Sequence, residues 1–202
     1  MKKTTGLITS ATLASALLIV AGCSKSVEQA DLDRVLDVSY DTLYKFENGA
    51  ENTRDEHAMS AFEEKLRFNF LTANPPVHSG TVGINLKEDG SFEGFQDSNG
   101  NSEKDADEAD LFVVEIDESN GRLIASDATG SGNVRDQHFS GTGLLTGFLL
   151  GSLLSRQRSA GIGRSAFSNK KSTPKAAAKS ASKSSSQSAK SRSGSGSHSF
   201  GK

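Results

Sequence analysis

The residues best suited to chemistry lie in an acidic segment, Gln96–Asp110, which reads QDSNGNSEKDADEAD. Carboxylate and amide side chains recur through it at short intervals: Asp97, Asn99, Asn101, Asp105 and Glu108. Calcium prefers about six to eight hard oxygen ligands, which short side chains at alternate positions of a tight loop can supply. The same residue types also form ordinary turns. The segment therefore predicts either a calcium site or a solvated acidic turn.

Read from Asp97, twelve residues of this segment resemble the EF-hand calcium loop. The five candidate ligands fall at its positions one, three, five, nine and twelve. Two positions depart from the pattern. Ser102 stands sixth, where glycine permits a sharp turn, and Lys104 stands eighth, where an apolar side chain normally joins a paired loop. The resemblance implies bound Ca²⁺ and covers these twelve residues alone.

The remaining reactive side chains do not form a catalytic pattern. The four histidines are scattered along the chain without metal-ligand spacing such as HExxH: His57, His78, His138 and His198. Serines are plentiful, but no GxSxG elbow occurs. Because each of the usual site signatures is missing from the sequence, we predict no enzymatic activity and no catalytic residue, with an envelope hydrolase as the remote alternative.

Cys23, the only cysteine, ends an N-terminal segment with three parts. Lys2 and Lys3 give it a positive start, and Leu7–Val20 is an uncharged, mostly apolar run that is short for a membrane span. This is the anatomy of a secretory signal. The segment Val20-Ala21-Gly22-Cys23 resembles the lipobox of bacterial lipoproteins at all four positions. The alternatives to a lipidated Cys23 are a small buried thiol or an ordinary signal segment.

The lipobox resemblance implies that residues 1–22 are cleaved and that Cys23 carries lipid on its sulfur and on its new amino group. Residues 23–26 then form a short tether, and the protein is a lipid-anchored component of the cell envelope. Ser24 resembles the outer-membrane sorting signal of lipoproteins of enteric type. It implies the periplasmic face of the outer membrane in a Gram-negative host.

Charge is distributed very unevenly along the chain. All 25 acidic residues lie between Glu28 and Asp136, and with ten Lys/Arg counted from Lys25 this part carries a net charge of −15. Residues 137–202 contain 11 Lys/Arg and no Asp or Glu. This asymmetry predicts an acidic domain followed by a basic, Ser/Lys-rich disordered tail at 159–202. The tail is expected to contact lipid headgroups, anionic envelope polymers or the acidic domain, or to be a solvated spacer. No nucleic-acid partner is expected after export.

The acidic part, residues 27–136, predicts an α+β domain. Apolar spacing favours a helix within Val27–Phe46, whose second half also fits extended backbone, and another from Asp55 to about Leu71. Alternation at Thr81–Leu86, a short return at Phe92 and Phe95, and the runs Leu111–Asp117 and Arg122–Ser126 predict strands. Asn120-Gly121 predicts a hairpin turn between the last two. The expected product is a small antiparallel sheet covered by one or two helices.

An uncharged apolar segment, Phe139–Leu154, follows this domain and is succeeded by Arg156 and Arg158. Its glycines recur every four residues: Gly143, Gly147 and Gly151. Such spacing predicts a helix over 139–158 whose glycine side lets another helix approach closely. Three alternatives remain open, namely contact with a bilayer, self-association through 139–154, and a core helix of the domain.

This order of parts resembles a loosely defined set of bacterial envelope lipoproteins of unknown function. They share a lipobox, a variable domain, a glycine-spaced apolar segment and a Ser/Gly/Arg-rich tail. The resemblance implies a location and no activity. We therefore expect a structural or interaction role at the envelope, with a calcium-binding or calcium-sensing module as the alternative.

Overall fold

The computed structural model describes residues 27–49, 55, 57–139 and 147–174. The helices and strands of these residues follow in this order: α1 (Leu32–Asn48), α2 (Ala58–Leu71), β1 (Val82–Leu86), β2 (Phe92–Gln96), β3 (Asp110–Asp117), β4 (Arg122–Asp127), β5 (Val134–His138) and α3 (Phe148–Ser159). Short 3₁₀ turns occur at Glu118–Asn120 and Arg164–Phe167. The predicted α+β class, with an antiparallel sheet and N-terminal helices, is confirmed.

The five strands form one antiparallel meander in the order β1-β2-β3-β4-β5. Because consecutive strands are neighbours, the loops fall at two ends of the domain. We call the end formed by residues 27–31, 77–81, 97–109 and 127–133 the proximal end, since the described chain starts there. The opposite end, with residues 87–91 and 118–121, is the distal end.

Helix α1 begins at a capped residue and runs from the proximal to the distal end. The Asp31 carboxylate accepts a hydrogen bond from the backbone N–H of Arg34 at 3.1 Å, which satisfies one of the helix's unpaired donors. A continuous apolar stripe along α1, from Leu32 to Phe46, is buried. The second half of the segment is therefore helical, not extended, because Val38, Leu43 and Phe46 continue the same buried stripe.

Helix α2 packs antiparallel to α1 over one face of the sheet. It starts at Ala58, three residues later than the predicted Asp55. Phe62 meets Phe46 of α1 edge-on, with ring centroids 5.6 Å apart, and Phe70 stacks on Phe112 of β3 at 5.5 Å. These contacts place Phe46, Phe62 and Phe70 in the core, as their helical spacing predicts, whereas Phe68, which also belongs to the predicted apolar face of α2, is 58% exposed.

Strand β5 and the segment after α3 were not predicted from the sequence. The residues of β5, VRDQH, carry no apolar alternation, and the strand exists because its backbone pairs with β4. Residues 160–174, assigned from composition to the tail, run back along the sheet, and Phe167 is buried. We call residues 160–174 the strap. The domain therefore extends well beyond the predicted boundary at 136.

Helix α3 is shorter than the predicted helix over 139–158. Phe139 follows β5 without helical structure, and the helix starts at Phe148, after the extended residue Gly147. Residues 140–146 lie outside the described part of the chain, as do 1–26 and 175–202. In the part that is described, every helix is too short or too polar to cross a bilayer.

Candidate functional site

The acidic loop joins β2 to β3 at the proximal end, and its first candidate ligand is buried. The Asp97 side chain accepts hydrogen bonds from the backbone N–H of Gly100 at 2.6 Å and of Ser102 at 3.0 Å. Ser102 has φ of 62°, a left-handed conformation that glycine ordinarily supplies. The serine at the sixth position therefore makes the sharp turn that the pattern reserves for glycine.

The central candidate ligands converge on one carboxylate. The side-chain amide nitrogens of Asn99 and Asn101 donate to Oδ2 of Asp105, at 2.6 and 3.1 Å. Their carbonyl oxygens accept from backbone N–H groups two residues further along, those of Asn101 and Glu103. These three side chains therefore form a local hydrogen-bonded cluster at the exposed part of the loop.

Glu108 closes the loop. One carboxylate oxygen accepts from the backbone N–H of Ser98 at 2.8 Å, and the other accepts from that of Asp105 at 3.1 Å. The sequence-predicted ligands Asp97, Asn99, Asn101, Asp105 and Glu108 are therefore brought together in one hydrogen-bonded loop.

The donor set suits a hard cation, with three carboxylates and two amide carbonyls. The loop oxygens instead accept hydrogen bonds from the loop's own N–H groups. Within residues 27–49, 55, 57–139 and 147–174, no three His, Cys, Asp or Glu side chains group in a way that could hold a metal ion. Calcium would therefore have to reorient side chains that are now engaged with the loop backbone.

Lys104, the second departure from the calcium pattern, has a structural role. Its ammonium group lies 2.5 Å from Asp110 and 3.2 Å from Glu93, at the base of the loop. The hydrogen bond with Asp110 is the main reason that the pKa of Lys104 is raised; partial burial opposes the shift, and Glu93 adds to it. Lys104 therefore fixes the loop to β2 and β3 instead of joining a second loop.

A buried ion network lies at the distal end, around Arg122. Its guanidinium donates to Asp117 at 2.9 Å and to Asp136 at 2.6 Å, joining three strands. Asp117 is fully buried. Burial alone would raise the pKa of Asp117, but hydrogen bonds from Asn120 and Arg122 outweigh it and the pKa is lowered. Burial likewise disfavours charged Arg122, yet its two aspartates raise the Arg122 pKa.

The same arginine holds the strap. Its second terminal nitrogen donates to the backbone carbonyls of Phe167 at 3.4 Å and Lys170 at 3.1 Å. Lys170 in turn pairs with Glu115 of β3. Sequence reasoning missed this network. Its only local signal is the pair Asp117 and Arg122 on either side of the predicted hairpin turn.

The glycine-spaced residues do not line a common helix face in the described chain. Gly143 lies outside the described residues, and Gly147 precedes α3. At Gly147 the missing Cβ leaves room for the Glu47 carboxylate, which accepts from the Leu149 N–H at 3.1 Å. Gly151 is exposed, and a side chain there would meet open space.

The apolar side chains of α3 belong to the domain core. Leu149, Leu150, Leu153 and Leu154 are buried in the same cluster as the residues of α1 and the sheet. Gln157 donates to the backbone carbonyl of Ile116 at 2.9 Å. Of the three alternatives left open for this segment, the described helix matches the core helix.

The predicted lipidation residue, Cys23, lies outside the described residues, but the position of the chain after it is defined. The N–H of Asp31 donates to Val77 at 2.8 Å, and His78 and Ser79 contact Glu28. These contacts fix the chain at the proximal end, beginning at Glu28, five residues after Cys23. No protein-family model, curated protein or solved structure matches the chain.

Proposed function

We propose that this protein is a lipid-anchored component of the bacterial cell envelope with a structural or interaction role. The observation that carries the proposal is the lipobox Val20-Ala21-Gly22-Cys23 directly before the domain. Only three residues separate Cys23 from Val27, where the described chain starts. Since one residue spans at most about 3.6 Å, the domain sits within roughly 14 Å of the lipid-bearing residue.

The structure supports a domain presented at a membrane surface. The sheet has helices over one face and the strap over the other, where Ile124 and Phe167 are buried. A domain held this closely to a bilayer presents its distal end to the surroundings. That end carries an open cleft of about 680 Å³, which Lys87 and Glu88 line on one side and Arg156 on the other. Residues of both charges there suit contact with another envelope protein.

The test is acylation of Cys23. Cells expressing the full chain are grown with radiolabelled palmitate, and the membrane and soluble fractions are compared for the wild type, Cys23→Ser and the matched control Ser26→Ala. We expect label and membrane retention in the wild type and the control, and loss of label in Cys23→Ser. Label that persists in Cys23→Ser, or an unlabelled wild type, would contradict the proposal.

We propose calcium binding by the acidic loop as a second candidate function. It is supported by the convergence of Asn99 and Asn101 on Asp105 and by the left-handed Ser102 at the turn. The residues that would hold the ion are Asp97, Asn99, Asn101, Asp105 and Glu108. Calcium would neutralise the negative charge of the loop. Because the extracellular concentration of Ca²⁺ is millimolar, even a site of low affinity would be occupied.

Thermal melting of the mature protein with and without Ca²⁺ tests this candidate. We expect millimolar Ca²⁺ to raise the melting temperature, because an ion that binds only the folded state stabilises it by mass action. Asp97→Asn combined with Glu108→Gln is expected to remove the rise. Glu103→Gln, an exposed carboxylate of the same loop outside the candidate set, is the matched control. A wild-type melting temperature indifferent to Ca²⁺ would refute this candidate.

A further inference from the structure

Both ends of the described chain leave the domain side by side. Near the N-terminus, the side-chain amide of Asn133 donates to Oε1 of Gln29 at 3.3 Å. Near the C-terminus, the N–H of Thr173 donates to the carbonyl of Val134 at 2.7 Å, and the Val134 N–H donates back to the threonine hydroxyl at 3.0 Å. Two consecutive residues, Asn133 and Val134, therefore hold the two chain ends together at the proximal end.

The strap is what brings the C-terminal end there. Helix α3 ends at the distal end, where Arg158 pairs with Glu118 at 2.8 Å. The strap then passes Arg122 and reaches Thr173 beside Val134. It thus returns the chain across the sheet, a length of about 26 Å for the eight residues of β3. Without the strap, the following residues would start at the distal end.

The residues that follow Pro174 are strongly basic. Residues 175–202 contain six cationic side chains and no carboxylate: Lys175, Lys179, Lys183, Lys190, Arg192 and Lys202. If Cys23 is acylated, a bilayer lies at the end from which this segment starts. We propose that residues 175–202 bind anionic phospholipid headgroups and so form a second membrane contact beside the lipid at Cys23. This inference rests on the proposed lipid anchor.

The physical reason is cooperation between two weak contacts at one place. Acyl chains and a basic segment together hold a protein on a membrane more firmly than either alone. Each Lys or Arg near an anionic surface contributes favourably. Because the anchor already holds the domain at the surface, the basic segment meets the lipid at a high effective concentration, and its binding costs little additional translational entropy.

The acidic loop is the competing target, since it lies at the same end. Its carboxylates are less available than lipid phosphates, however. Asp97 and Glu108 accept hydrogen bonds from loop N–H groups, and Asp110 pairs with Lys104. The attraction between the basic segment and the remaining exposed charges of the loop is largely screened at separations beyond about 10 Å at ordinary salt. A continuous anionic lipid surface therefore provides the basic segment with more available negative charges than the loop does.

Energy transfer in reconstituted vesicles tests the proposal. The mature full chain has no free thiol once Cys23 is acylated, so one dye can be attached through Ala176→Cys, Ser185→Cys or Ser119→Cys. The acceptor is a headgroup-labelled lipid, in phosphatidylcholine vesicles with or without phosphatidylglycerol. Ala176 reports where the segment starts, Ser185 reports its middle, and Ser119 reports the distal end.

We expect efficient transfer from Ala176 in both vesicle types and weak transfer from Ser119. Transfer from Ser185 should increase at least twofold with phosphatidylglycerol. In about 1 M salt, where the Debye length is roughly 3 Å, the transfer efficiency from Ser185 should return to its level in pure phosphatidylcholine vesicles. Replacement of the six cationic residues by glutamine should abolish the increase, whereas six serine-to-glutamine changes in the same segment should not. Weak transfer from Ala176 would show that the chain leaves elsewhere and would overturn the inference.

Transfer from Ser185 that ignores phosphatidylglycerol would also overturn it, and a second dye on the acidic loop would then show whether the segment binds the loop instead. Mass spectrometry of the N-terminal peptide separates this failure from failure of the proposed function. If Cys23 carries no acyl chains, the anchor proposal fails. Flotation of the unacylated full chain with phosphatidylglycerol vesicles then decides the inference on its own, with a roughly fivefold loss of binding expected for each cationic residue removed.

Discussion

Replacement of Arg122 by methionine is expected to destabilise the domain by about 3–5 kcal/mol, the usual cost of removing one partner from a buried ion pair. Arg122 donates to Asp117 and Asp136 and to the strap carbonyls of Phe167 and Lys170. Asp117 is fully buried, so its charge would keep only the hydrogen bonds from Asn120. Methionine approximates the length of the side chain and removes all four contacts.

The assay is urea unfolding of the mature protein at neutral pH, followed by circular dichroism. Arg158→Met is the matched control, because Arg158 pairs with Glu118 while the side chains remain 61% and 46% exposed. An exposed pair contributes about 0.2–1 kcal/mol, so the two variants should differ severalfold. Proteolysis should also cleave the strap of Arg122→Met faster than that of Arg158→Met.

The pH dependence gives an independent check. The pKa of folded Asp117 is lowered from its ordinary 3.8, so its contribution to stability is complete above that value and is lost as the pH falls through the folded pKa. In Arg122→Met burial dominates and raises the pKa of Asp117 above its ordinary value, so the folded state binds this proton more tightly than the unfolded state does. The stability deficit of the variant relative to the wild type is therefore expected to narrow as the pH falls. An Arg122→Met variant within about 1 kcal/mol of the wild type, with an unchanged acid transition, would refute the network as a main support of the fold.

Three further predictions concern single positions. Gly94→Ala should destabilise the domain by about 1–3 kcal/mol in urea unfolding, since its Cβ would overlap the fully buried Phe112 ring; an unchanged midpoint would show that the ring can move. Gly151→Ala, by contrast, should stabilise α3 by about 0.5–1 kcal/mol, because the position is exposed and open; a loss of stability would favour close packing of another helix there. Lys104→Met should weaken the attachment of the acidic loop, measured as faster amide exchange. Because the pKa of Lys104 is raised, the stabilisation from its charge is complete below its ordinary pKa of 10.5 and is lost as the pH rises through the folded value. Equal amide exchange rates of the loop in the wild type and the variant at pH 7 would therefore contradict the role of the pairing between Lys104 and Asp110.

Local signals in the sequence were sufficient for most of the secondary structure. The helical spacing of apolar residues predicts α1 and α2, and the Asn120-Gly121 turn with its flanking apolar runs predicts the β3–β4 hairpin. Helix α2 starts three residues after the predicted Asp55, since element ends depend on local capping and packing more than on periodicity. The acidic loop was also found from its composition, because turn-forming and oxygen-bearing side chains are the same residues there.

Long-range pairing decided what the sequence could not. Strand β5 is polar throughout and exists through its backbone bonds to β4. The strap has the composition of a tail, but Phe167 is buried and Arg122 binds two strap carbonyls. The two contacts of Arg122 with the strap cannot be predicted from the neighbouring residues, because the partners lie 45 and 48 positions away in the sequence.

The sequence by itself determined the kinds of parts in this protein, namely a segment that resembles a lipobox, the acidic domain, the apolar segment and the basic residues after it. These follow from composition and short-range spacing, which each stretch of chain carries on its own. Only the tertiary structure decided how the parts are arranged. It places the apolar side of α3 in the core, and it returns the strap to the proximal end, where the described chain also begins. That placement depends on contacts between distant residues, which no local pattern encodes.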